Sequence, residues 1–488
     1  MIRHQPAILL AAVLCTLAAC RKDDLPLTTS ASAPAVWLAG TAGAEAAFTL
    51  TAPASWTLTT GGDGYEVVPT SGAAGQTPIT VRSLTENTAP GHTTLVSIVV
   101  HTEPDQTLRL EVLQRPATAP HAFLFVFIGT SLQRFFDWNL KAALAAMTPQ
   151  IPGDGRVAAL CYREGVWQIA ELDCDPMTGR SAITTLKTFD HPDRSRPEFL
   201  TEVLNEMMQL IPASNYGVVF GGHGTGWVPK SSSRSGRSPA PRETTPPDPC
   251  PITRYFGEEG SIFDIDQIAA SLQATGVRFE YLIFDDCFMS NIETLYSLRE
   301  SSRYIVASPC EILGEGFPYG YVIPALFAGE DPTPERLQRV CEKFYNYYLS
   351  EYNPVYPSGC IALTRCDELE ALADVSQQLF ASASKTCDPS QLQSYEGMTS
   401  HLFYDFRQYA EQVATDAGAL DLFREQFDRT FPPECRLHTP SFYSWHSRPL
   451  LLPINYYSGV TCSAPAQLYS TENRQTAWWR KVLGDTAE

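Results

Sequence analysis

From about residue 36 to 115, apolar and polar positions alternate in short runs. Phe48-Thr49-Leu50, Trp56-Thr57-Leu58, Glu66-Val67-Val68, Ile79-Thr80-Val81 and residues 95–100 and 108–113 carry the alternation, with Gly, Ser, Asn and Pro clusters between them. Alternation places every second side chain on one face of a strand. The stretch therefore predicts an all-β sandwich of about 80–100 residues. After Pro116 the pattern changes. Residues 121–128 form an unbroken apolar run, as expected of a strand buried on both faces. Helical spacing follows over 135–147, 198–210 and 265–272, and strands are expected at 156–162, 167–172, 216–220, 279–284 and 303–307. Strands alternating with helices predict an α/β domain, a mostly parallel sheet sandwiched by helices, with reactive groups at the carboxyl ends of the strands. Beyond about residue 330 the chain reads as helical, over 336–348, 369–381 and 403–413. A late strand is expected near 456–462 and a last helix around Ala477-Trp478-Trp479.

The N-terminus reads as an address. An apolar run over 8–19 is too short to cross a bilayer and ends Leu17-Ala18-Ala19-Cys20. Small residues before a cysteine resemble a bacterial lipobox. The resemblance implies a signal peptide over 1–19, lipidation at Cys20, and attachment to the outer membrane. Arg21-Lys22-Asp23-Asp24 resembles the charged tag of surface-exposed lipoproteins, and 20–35 reads as a tether.

Charge narrows the partners. A formal charge of −19 over 488 residues excludes global attraction to nucleic acid or anionic membrane. Residues 230–254 run against that balance. Lys230, Arg234, Arg237, Arg242 and Arg254 outnumber Glu243 and Asp248 in a Ser- and Pro-rich stretch, which predicts an exposed, mobile loop. Of 13 cysteines, ten remain once Cys15, Cys20 and Cys287 are set aside. In an exported protein that even number permits disulfides, with no pairing legible. No CxxC pair supports a zinc ribbon, no EF-hand loop supports calcium, and no cofactor or metal is expected from the motifs.

Two motifs carry chemistry. Gly221-Gly222-His223-Gly224-Thr225-Gly226-Trp227 follows the strand ending at Phe220, and Phe284-Asp285-Asp286-Cys287-Phe288-Met289 closes the strand starting at Phe279. A histidine and a cysteine at neighbouring strand ends make a base and a nucleophile. The cysteine needs partial exposure and an electropositive neighbour for thiolate character. The imidazole supplies the second and can protonate a leaving amine. Backbone N–H groups of Gly224 and Cys287 would hold the oxyanion. Extended geometry would turn Asp285 to the same side as Cys287, where a carboxylate pairs with a basic side chain. For either residue alone the bland readings are a loop histidine and a buried small hydrophobe.

His-Gly-x-Gly-Trp followed by strand-Asp-x-Cys-x-Met resembles the clostripain family of cysteine peptidases, in the caspase–gingipain clan. The match continues through Glu293, Ala307-Ser308, Gly314 to Tyr319 and Ser458-Gly459-Val460, over roughly 118–485. It implies a caspase-like fold, a Cys287/His223 dyad and cleavage of protein or peptide substrates after Arg or Lys. It also implies an S1 pocket lined by Asp285 and an acid that aligns with Glu315. Relatives sometimes use calcium. Asp286 departs from the family, which usually has a small residue before the nucleophile, and Pro309-Cys310-Glu311 stands where relatives carry more acids. Residues 36–116 resemble the BACON domain, through Trp56, the turn 68–72, Asn87 and Val112-Leu113-Gln114. That resemblance implies a carbohydrate-binding module or a spacer.

The expected function is thus a surface-anchored cysteine endopeptidase, activated by its own cleavage after Lys230, Arg234 or Arg237. The alternatives are an inactive surface-binding protein on a peptidase scaffold and a carbohydrate-binding protein led by the β-sandwich.

Overall fold

The computed structural model describes residues 28–60, 63–89, 92–129, 131–175, 177–228, 263–329, 331–352, 355–381, 383, 386–445 and 451–484. Leader residues 1–19, Cys20 and the loop residues Lys230, Arg234 and Arg237 lie outside them.

The alternating segment forms two packed sheets. One has the order β1 (Ser30–Ala31), β3 (Glu45–Ala52), β7 (Gly75–Ser83), β5 (Tyr65–Val68); the other β2 (Ala35–Leu38), β9 (Gln106–Gln114), β8 (His92–Val100), β4 (Trp56–Thr60), β6 (Ser71–Gly72). Inward residues of both, including Trp56, Phe48, Ile79, Ile98 and Val112, make one apolar core. Strands begin at Ser30, inside the stretch that reads as a tether, because Ser30 and Ala31 pair with Thr51 and Leu50 at the sheet edge.

The second unit is built on nine strands. Their order is β13 (Ser181–Phe189), β12 (Val166–Cys174), β11 (Arg156–Arg163), β10 (Ala122–Phe127), β14 (Tyr216–Gly221), β15 (Phe279–Asp285), β16 (Ser302–Ala307), β17 (Cys360–Arg365) and the short strand Leu437–His438. The α/β class is as expected, but the sheet is mixed rather than mostly parallel. β11, β10, β14, β15 and β16 run parallel, and both wings are antiparallel. The buried centre is mostly apolar and legible in the sequence. The wings were not: β13 alternates half-exposed polar residues, and β17 lies within a stretch whose neighbours are helical. The late strand shrinks to Thr461–Cys462, paired with Tyr404–Asp405. The ten described cysteines, Cys287 among them, are free thiols, and all but Cys387 are buried; Cys250 lies outside the described residues.

The C-terminal segment is tied to the sheet through a buried acid. Glu293 lies in the first turn of the helix Ile292–Ser297 and is fully buried. Its Oε1 accepts from the Ser463 N–H (2.8 Å) and from Trp479 Nε1 (2.9 Å), while Trp227 Nε1 donates to Ser463 Oγ (2.8 Å). One carboxyl therefore links the histidine loop, the helix after the cysteine and the last helix. Oε2 has no acceptor or donor beside it, and burial pushes the group up to about 7. A carboxyl raised in the folded state holds its proton there more tightly than when unfolded. Its contribution is whole below its ordinary pKa and is lost as pH rises through about 7. Glu293→Gln keeps both accepted bonds without the ionisation. Thermal melts between about pH 5 and pH 8 should show wild-type stability declining by roughly 3 kcal/mol more than that of the variant. Parallel profiles would contradict this role.

Candidate active site

The glycine-rich turn of His223 and the turn of Cys287 are brought together by strand pairing. β14 and β15 are parallel neighbours with Gly221 opposite Asp285. His223 and Cys287 each lie two residues beyond that pair. The contact is close because Gly224 has no side chain: a Cβ there would run into the Cys287 carbonyl and stand 3.0 Å from the Cys287 nitrogen. Gly226, with φ of 61°, lets the turn fold back onto Asn291 and the Phe288 carbonyl, which a Cβ would meet at 2.5 and 2.9 Å.

The turn carrying the cysteine is strained. Phe288 has φ of 60°, unusual for a bulky residue, and is over-determined by its surroundings. Its N–H donates to the Cys310 carbonyl (3.2 Å), its own carbonyl accepts from Asn291 Nδ2 (2.5 Å), and its ring stacks on Phe403 at 4.8 Å. Asn291 also caps the helix Ile292–Ser297 by accepting from the Thr294 N–H. Strained turns of this kind gather at functional sites.

The thiol itself departs from the expected partial exposure. Cys287 is fully buried. Its Sγ accepts from the Ile312 N–H at 3.2 Å and lies 3.7 Å from the Ile312 carbonyl, so the segment after β16 covers it. Burial pushes the thiol well above its usual range, and the carboxylates of Glu311 and Asp286 add to the shift. This arrangement favours the protonated thiol over the thiolate. Glu311 is fixed in turn: its carboxylate accepts from Ser444 Oγ (2.7 Å) and the Trp445 N–H (3.1 Å). His223 is half-buried, and its Nε2 lies 3.0 Å from Ser131 Oγ. It lines a small cavity of about 60 Å³ with Gly222, Thr225, Asp286 and Met289.

The acids expected near the site lie on two segments that hydrogen bonds join: Asp285 ends β15, and Glu315 lies after β16. The strand ends at Asp285, and the chain turns at Asp286, so alternation does not carry on to Cys287. Asp285 is fully buried, and its Oδ2 accepts from Tyr319 OH (2.8 Å) and the Phe317 N–H (3.3 Å). It thereby pins the segment bearing Glu315, which Asn139 Nδ2 and Tyr348 OH also hold, through the carbonyls of Glu315 (2.7 Å) and Gly316 (2.6 Å). Glu315 is only partly exposed. Its Oε2 is buried without a partner, and its charge pushes the neighbouring Tyr352 and Tyr347 hydroxyls up, after the effect of their own burial. A carboxylate oxygen in that state is suited to a cation. Asp286 packs on the backbone of Gly222 and Gly224 beside His223, a place that a small residue would also fill.

Sequence reasoning missed Ser131, Glu311 and Ile312. Ser131 was findable, since a small polar loop leaves the carboxyl end of a buried strand there. Glu311 and Ile312 act through tertiary contacts that no local pattern announces. Among the described residues, no group of three or more His, Cys, Asp or Glu is placed to hold a metal ion, and no helix is long and apolar enough to cross a membrane.

Comparison with known proteins gives this geometry a lineage. No curated protein sequence matches the chain. Solved structures do. A secreted C11 cysteine protease from Bacteroides thetaiotaomicron, "iotapain", is 29 % identical, with a TM-score of 0.65 over 75 % of this chain and 99 % of the other. An inactive zymogen C11 protease from Parabacteroides distasonis is 25 % identical, with a TM-score of 0.62 over the same shares. A secreted Bacteroides thetaiotaomicron C11 protease in complex with an irreversible peptide inhibitor is 20 % identical, with a TM-score of 0.62 over the same shares, and shows the shared fold. The clostripain family model matches residues 179–423, just over half of the chain and both chemistry-bearing turns. The chain therefore belongs to the clostripain family of cysteine peptidases.

Proposed function

We propose that the chain is an endopeptidase that cuts after Arg or Lys, with Cys287 as nucleophile and His223 as its base. The observation that carries this reading is the joining of the two turns, with Gly224 laid against the Cys287 backbone at paired strand ends. The imidazole takes the thiol proton and the thiolate adds to the scissile carbonyl. The N–H groups of Gly224 and Cys287 receive the resulting oxyanion. The imidazolium then protonates the leaving amine. Water, deprotonated by the same imidazole, releases the acyl group and restores the thiol.

The buried, protonated thiol is the resting state of a latent precursor on this reading. The zymogen relative supports it, as does the basic loop that starts seven residues after His223. Cleavage after Lys230, Arg234 or Arg237 would release the cover over Cys287. Each of these residues is followed by serine rather than proline. Glu315, with its unpartnered oxygen, supplies the counter-charge for a basic P1 side chain, and Asp285 holds its loop in place. Lipidation at Cys20 and a BACON-like sandwich over 30–114 would set the peptidase at a distance from the outer membrane.

Reporter peptides ending in Arg or Lys test the reading. Cys287→Ala and His223→Ala should each lower turnover by roughly a thousandfold or more while melting near the wild-type temperature. Activity retained in either variant removes the dyad. Glu315→Gln should reduce kcat/KM for Lys substrates by roughly tenfold or more, because a desolvated cation loses its counter-charge. A wild type that prefers neutral P1 residues rules out that pocket. On storage, active wild type should split within 230–254 into two fragments that remain associated, and Cys287→Ala should stay whole. Full activity from an uncut chain would refute self-activation.

A further inference from the structure

A second cavity lies at the opposite end of the sheet from the catalytic turns. It measures about 380 Å³ and is bounded by the amino ends of β10, β14 and β15. His121 precedes β10, Asn215 precedes β14 and Tyr281 is the third residue of β15. A six-residue strand spans about 20 Å, so this cavity is separate from the site of His223 and Cys287. Its volume falls in the range of small-molecule sites, about 300–1,000 Å³.

The walls are fixed. The Tyr281 ring is seated where a side chain on Gly217 would have to stand, and the Phe327 ring lies 2.5 Å from where a Cβ on Gly155 would be. His121 sits between them, with ring centroids 5.5 Å from Tyr281 and 5.3 Å from Phe327. Its Nε2 meets Tyr281 OH at 2.8 Å. Burial and the nearby Arg336 lower its pKa to about 4, so the ring is neutral at physiological pH.

The charges on the lining are unevenly matched. Glu280 pairs with Arg303 (3.4 Å) and Asp331 with Arg339 (2.9 Å). Arg336 and Asp154 also line the cavity, and neither is in an ion pair among the described residues. The Arg336 guanidinium is oriented by two carbonyls, Leu326 (3.2 Å) and Gly329 (3.2 Å), and its buried Nε has no acceptor. One cavity therefore presents a held cation and an anion that do not neutralise each other. A ligand with a single negative charge would face Asp154, and one with a single positive charge would face Arg336. A ligand with both would satisfy each.

We infer that this cavity binds a small zwitterion, the α-ammonium and α-carboxylate of a free amino acid or of a dipeptide, with the carboxylate on Arg336 and the ammonium on Asp154. Arg336 would supply charge-assisted hydrogen bonds to the carboxylate, and the His121, Tyr281 and Phe327 rings would form an apolar wall. The inference does not depend on the proposed cleavage specificity.

Titration calorimetry on the full-length protein tests it. The probes are L-leucine and glycyl-leucine, which lack a basic side chain for the S1 pocket, with acetate and ethylammonium as single-charge controls. Saturable binding of leucine, of the dipeptide or of both is expected, and the tighter of the two identifies the source. Each control should bind roughly tenfold or more weakly, and Arg336→Gln and Asp154→Asn should each cost roughly tenfold in affinity. No saturable heat from either zwitterion at about 10 mM overturns the inference. So does acetate binding as tightly as leucine, or unchanged affinity in folded variants. If a variant does not fold, wild-type crystals soaked with leucine decide: density bridging Arg336 and Asp154 supports the site, and its absence there refutes it.

Discussion

The pairing of β14 with β15 is the constraint on which the site depends. Gly221 opposite Asp285 fixes where the two turns begin, and a one-residue slip would carry His223 away from Cys287. That register rests on apolar side chains buried on both faces, among them Phe220, Phe284, Val218 and Leu282. The chemistry is then set by what the turns lack. Gly224 has no side chain because the Cys287 backbone occupies its place. The histidine motif is glycine-rich for a steric reason, since a side chain at Gly224 would meet the Cys287 carbonyl and one at Gly226 would meet Asn291.

The thiol is held in surroundings opposed to the role proposed for it. Reactive cysteines sit in exposed, electropositive surroundings. Cys287 has neither, since it is capped by the Ile312 peptide and faces Glu311 and Asp286. Glu311 is anchored to Ser444 and Trp445, so the cover over the thiol is fastened to the C-terminal part of the chain. Glu293 ties that same part to Trp227 and the last helix. The same C-terminal contacts that stabilise the fold therefore also hold the cover over Cys287 in place.

The sequence made the parallel core of the sheet legible because unbroken apolar runs such as residues 121–128 have few other solutions. It made the meeting of the two turns legible because glycine crowding and Asp-x-Cys fall directly after two such runs, on strands that pair. It did not make the antiparallel wings legible: β13 is half-exposed and polar, and β17 lies between helical stretches and is placed by pairing with β16 and with Leu437–His438. Nor could spacing show that Cys287 is covered or that Asp285 serves the Glu315 loop. Those outcomes depend on Ile312, Phe317 and Tyr319, which reach the site from beyond β16. Asp285 illustrates the limit of periodicity, since the strand ends at the residue from which alternation would have to continue.

The central claim is that Cys287 becomes a thiolate only beside His223 and only once its cover moves. The most direct measurement is covalent labelling with a lysine-ended peptidyl chloromethyl ketone, read by peptide mass spectrometry on intact and loop-cleaved protein. One adduct on Cys287, formed rapidly in the cleaved form, slowly in the intact form and not in His223→Ala, is the predicted result. Equal labelling of both forms, labelling that survives loss of His223, or an adduct on another cysteine would contradict it.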